Sequence, residues 1–60
     1  MSSPSQKEYI YIAKELAKRF NITMDEEQIA KEAVVWEMHH GGLSGRTAQQ
    51  FINHLAGLQA

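Results

Sequence analysis

The chain has 60 residues, a formal net charge of -1 and no cysteine. That length holds one small domain and leaves no room for a separate catalytic one, the near balance of charge gives no overall attraction to a polyanion, and the lack of thiols excludes disulfides and thiolate metal sites. No apolar run approaches the roughly 20 residues that span a bilayer, and Met1-Ser2-Ser3-Pro4-Ser5 lacks the blocks of a signal peptide, so a cytoplasmic location is expected.

Residues 1–4 read as a flexible lead-in, and residues 5–60 as a single helical domain. Ser5 and Glu8 stand in the S-x-x-E spacing of a capping box, which predicts a first helix over about 6 to 20. Tyr9, Ala13, Leu16 and Phe20 recur on one stripe of it, flanked by Ile12 and Ala17, while Lys14, Glu15, Lys18 and Tyr11 lie opposite. Lys18 and Arg19 suit the negative end of the helix dipole, and Asn21 is the expected left-handed stop.

Thr23 and Glu26 repeat the capping-box spacing, and Asp25, Glu26 and Glu27 load the next first turn with negative charge, so a second helix is expected over about 24 to 40. Its apolar residues fall on two stripes, Ile29-Ala33-Trp36 and Ala30-Val34-Met38, with Val35 toward a third side. That exceeds what one neighbour covers, so the helix should be central, and Val34, Trp36 and Met38 are candidates for a contact with another domain. Trp36 itself is assigned to the core or to such a contact. Gly41 is the expected stop after His39 and His40.

Ser44 is a natural N-cap for a third helix from Gly45 to about Ala56, ended by Gly57, with Leu58 packing back. Ala48, Phe51, Ile52 and Leu55 form its core stripe; Arg46, Gln49, Gln50 and Asn53 face the other way. The expected fold is thus all-α, a three-helix bundle around Leu16, Phe20, Ile29, Ala33, Phe51, Ile52 and Leu55.

Arg46 is the anomaly, because a positive charge in the first turn of a helix opposes its dipole. The same place offers free backbone N–H groups and favours anions, so a bound phosphate would explain an arginine that local stability does not. Gly45 lets a ligand or backbone come close, and the guanidinium can grip a phosphate in two charge-assisted hydrogen bonds. A capped helix start with a solvated arginine is the plainer reading of the same residues.

Other chemistries find little here. No P-loop, nucleophile elbow or H-E-x-x-H pattern is present, so catalysis by the isolated chain is not expected. His39 and His40 diverge by about 100° on a helix and complete no metal set; with His54 they read as dipole partners or solvated groups. A helix-turn-helix would use Arg46, Gln49, Gln50 and Asn53 to read bases, but Arg46 is the only Lys or Arg beside that helix to hold phosphates. A stand-alone protein-interaction bundle is the remaining alternative.

The run from Ala33 to Ile52, A-V-V-W-E-M-H-H-G-G-L-S-G-R-T-A-Q-Q-F-I, resembles the C-terminal tail of a bacterial family of predicted AAA+-type P-loop ATPases catalogued as a domain of unknown function, and Pro4 to Tyr9 resembles the start of the same segment. The resemblance implies a small helical lid that follows an ATPase core. It also implies that Arg46, with Ser44 and Gly45 as its setting, is a sensor-2-type arginine directed at the phosphates of ATP bound with Mg by that core. The partners it implies are the P-loop core of the same parent chain and a neighbouring subunit; membrane is not among them, and the charge balance argues against nucleic acid. His39-His40 departs from the more basic residues of that family, which weakens the positive field at the phosphate.

Overall fold

Ser5 opens the first helix. In the computed structural model, which describes residues 5–59, its hydroxyl accepts from the backbone N–H of Glu8 at 3.2 Å, and helix α1 runs over Gln6–Arg19. Asn21 then takes φ 60°, the left-handed conformation that an asparagine adopts with least strain after glycine. The expected lead-in, residues 1–4, lies outside the described residues, as does Ala60.

Helix α2 spans Glu26–His40 and α3 spans Arg46–Gln59, so the fold is a three-helix bundle, all-α over the described residues. Both helices depart from their expected bounds, and one contact explains both departures. Thr23 does not cap α2: its backbone N–H and hydroxyl donate instead to Oε1 of Gln59, at 2.9 and 3.2 Å. Asp25 stands at the N-cap position without a side-chain capping bond, and α2 begins two residues late. Gly57 does not end α3, because the last turn continues to bring Gln59 onto that loop.

The core consists of Tyr9, Ala13 and Ala17 from α1, Ile29 and Ala33 from α2, and Phe51, Ile52 and Leu55 from α3. Phe51 and Leu55 are the largest fully buried side chains, and each contributes about 1.5–3 kcal/mol by leaving water. Ala13, Ala17 and Ala33 have almost no side chain to hold two backbones apart, and α1 and α2 make the closest helix pair. Larger side chains fill the space toward α3, which stands further off.

Four expected apolar positions are corrected. Phe20 is 46% exposed, because α1 ends at Arg19 and the chain turns away before the stripe can bury it. Leu16 is half-buried against the core rather than inside it, and Ile12 lies on the outer side of α1. Leu58 does not pack back, since Gly57 stays helical and the turn that would fold it inward never forms.

Candidate functional site

Arg46 is the first residue of α3 and directly follows the loop from Gly41 to Gly45. Gly41 ends α2 at φ 81°, ψ -125°, a conformation that excludes side chains, and its N–H still bonds the carbonyl of Glu37 at 3.0 Å. The hydroxyl of Tyr9 donates to the carbonyl oxygen of Gly41, which ties the loop to α1. Two residues on, Leu43 is half-buried against the core. Gly45 takes φ 55°, and its carbonyl accepts from Gln49 N–H at 3.2 Å to begin the ladder of α3.

The expected N-cap is corrected in its chemistry. Ser44 supports α3 through its backbone carbonyl, which accepts from Thr47 N–H at 3.1 Å, while its side chain makes no capping bond among the described residues. Gly45 directly precedes the helix and lets the chain enter from the left-handed region, where serine would be strained. The N–H groups of Arg46 and Ala48 have no backbone acceptor among the described residues.

Arg46 is exposed and has no acidic partner among the described residues, whereas Lys14 pairs with Glu26 at 3.8 Å and Lys18 with Glu15 at 3.7 Å. Its charge therefore stands uncompensated at the positive end of α3. Gln49, Gln50 and Asn53 are exposed along the same helix, and the Gln49 amide donates to Asn53 Oδ1 at 3.2 Å.

The proposed interdomain residues are placed unequally. Met38 is 78% exposed and Val35 51%, so α2 does present apolar surface to the outside. Val34 is half-buried. Trp36 is half-buried too, packed edge-on to Phe51 with ring centroids 5.5 Å apart, which makes it chiefly a core-facing residue. Its indole Nε1 is buried without a hydrogen-bond partner among the described residues.

Two histidines have roles that the sequence reading did not assign. His40 stacks on Trp36 at 3.9 Å, and its place four residues along the same helix face was the available signal. His54 bonds Glu32 Oε1 at 2.8 Å and lies 5.5 Å from Trp36, joining α3 to α2 through a pairing 22 residues apart that has no local signature. The phenol of Tyr9 is held above its ordinary pKa, first by burial and then by the negative charge of Glu37.

The fold is a small three-helix domain whose third helix starts at an exposed arginine. The chain belongs to the family described as Protein of unknown function (DUF815), whose model matches residues 1–59. No curated protein and no solved structure matches it. Among the described residues, no helix is long and apolar enough to cross a membrane.

Proposed function

We propose that this chain is the C-terminal helical lid of an AAA+-type ATPase, and that Arg46 acts as its sensor-2-type arginine. The observation that carries the reading is the exposed guanidinium at the first position of α3, without an acidic partner among the described residues. Lys14 and Lys18 find carboxylates; among the described residues Arg46 has none and sits against its own helix dipole. A phosphate reverses that balance, since the helix start, its free N–H groups and the arginine fork all favour an anion.

In this reading the P-loop core of the same parent chain binds ATP with Mg, and the lid closes over the nucleotide as Arg46 meets the phosphates. The exposed Val35 and Met38 support a lid that rests on another domain, with Val34 and Trp36 behind them. A neighbouring subunit is the second partner of this kind of domain. The isolated chain hydrolyses nothing, because the residues that hold ATP and Mg belong to the core. A base-reading face on α3 has less support, as Gln49 and Asn53 bond each other and Arg46 is the only Lys or Arg of that helix.

The test is Arg46→Ala in the intact parent, with the lid's fold checked by the amide spectrum of α3. Loss of ATP turnover or affinity by tenfold or more is expected, since a charge-assisted bond is worth about 1.5–3 kcal/mol. Unchanged kinetics across ATP concentrations would remove the sensor role.

A further inference from the structure

A second surface, along the exposed flank of α1 beside the core-facing Leu16, is separate from Arg46. Tyr11, Ile12, Glu15, Leu16 and Arg19 line an open groove there, with Tyr11 64% and Ile12 39% exposed. Glu8, Ile12, Glu15 and Arg19 recur at spacings of four, three and four residues, the stripe along which one helix meets another side by side. Glu8 and Arg19 are therefore in one row, three turns or about 16 Å apart.

That row has opposite charges at its two ends, Ile12 between them, and Tyr11 and Leu16 on its flanks. Reversed and laid against itself, it is complementary: a two-fold axis near the middle of α1 sets Glu8 opposite Arg19 of a second copy, twice over. Ile12 then lies against the aliphatic stem of Glu15 of the other helix, and the flanking Tyr11 and Leu16 cover the two sides of the seam. The carboxylate of Glu15 is already partnered by Lys18 of its own chain at 3.7 Å, which offsets its charge near the axis. The antiparallel arrangement also opposes the two helix dipoles.

We infer that this face of α1 is a docking surface for a second copy of the chain, packed antiparallel around Ile12 and fixed in register by Glu8–Arg19 pairs. One helix stripe falls short of the roughly 1,200 Å² that a stable complex buries, so the dimer is weak and dependent on concentration. The inference stands independently of the lid reading.

Sedimentation velocity on the 60-residue chain over a rising concentration series tests it, with helicity by circular dichroism as the control for folding. The wild type should shift from monomer to dimer. Glu8→Arg and Arg19→Glu should each stay monomeric at a concentration where the wild type is half dimer, because each places like charges opposite one another at both ends. An equimolar mixture of the two variants should restore the dimer, since the arginine introduced at position 8 of one copy then faces the glutamate introduced at position 19 of the other, while the native Arg19 of the first faces the native Glu8 of the second. Ile12→Lys, which alters a side chain outside the core, should abolish association. A wild type that stays monomeric, a mixture of folded variants that does not recover, or association that survives Ile12→Lys would each overturn the inference.

Discussion

The hydroxyl of Tyr9 and the carbonyl of Gly41, 32 residues apart, hold the α2–α3 loop against α1. Tyr9→Phe keeps the buried ring and deletes only that bond, so it should cost about 1 kcal/mol in urea unfolding, with the loop amides of Gly41 to Gly45 exchanging faster.

The same residue predicts an alkaline limit to stability. Its folded pKa is raised by burial and by Glu37, so its contribution is fully present below the ordinary tyrosine value of about 10 and is lost as pH rises through the higher folded value. Unfolding free energy should fall over that window in the wild type. The fall should be shallower in Tyr9→Phe, read from urea midpoints at several pH values.

Gly41 and Gly42 are adjacent and should behave differently. Among the described residues no atom would meet a Cβ at either position, but of the two only Gly41 has a positive φ, at 81°. Gly41→Ala should therefore cost about 1–3 kcal/mol by backbone strain alone, while Gly42→Ala should be close to neutral in the same thermal unfolding assay.

Phe51 and Phe20 form a second pair of opposites. Phe51→Ala empties a fully buried site and should cost about 3–5 kcal/mol, enough to unfold so small a domain as judged by helicity at about 25 °C. Phe20→Ala, at 46% exposure, should cost about 1 kcal/mol.

Arg46→Glu should separate stability from the proposed role. Replacing a cation by an anion at the start of α3 should raise stability by about 0.3–1 kcal/mol, seen as a higher thermal midpoint of the chain. In the parent, the same change should lower ATP turnover.

The periodicities that were legible in the sequence are those that a helix enforces on itself. Tyr9-Ala13, Ile29-Ala33 and Phe51-Ile52-Leu55 are buried as their spacing requires, and Asn21 and Gly41 stop helices with positive φ. What sequence did not reveal came from contacts between distant segments. Thr23 carries the signature of a cap and is engaged by Gln59 instead, 36 residues away, which also draws α3 through a glycine that local reasoning takes as its end. His54 meets Glu32 for the same reason of tertiary approach. At the candidate site the outward Arg46 was legible from its place opposite the core stripe; the part of Tyr9 in fixing the loop was not, because its ring reads as core and only its hydroxyl makes the contact.

The alanines between α1 and α2 carry a consequence for how this sequence can change over time. Ala13 and Ala33 are completely buried in the core that α1 and α2 share, so a larger side chain there must displace its neighbours, and Ala33→Leu should cost about 1–3 kcal/mol. Toward α3 the space is filled by larger groups that can trade shape at constant volume, and Leu55→Met should cost less than about 1.5 kcal/mol. Mutational drift is thereby channelled away from the buried alanines: the larger core groups of α3 admit substitution by exchange of volume, while Ala13 and Ala33 admit almost nothing larger than a methyl group.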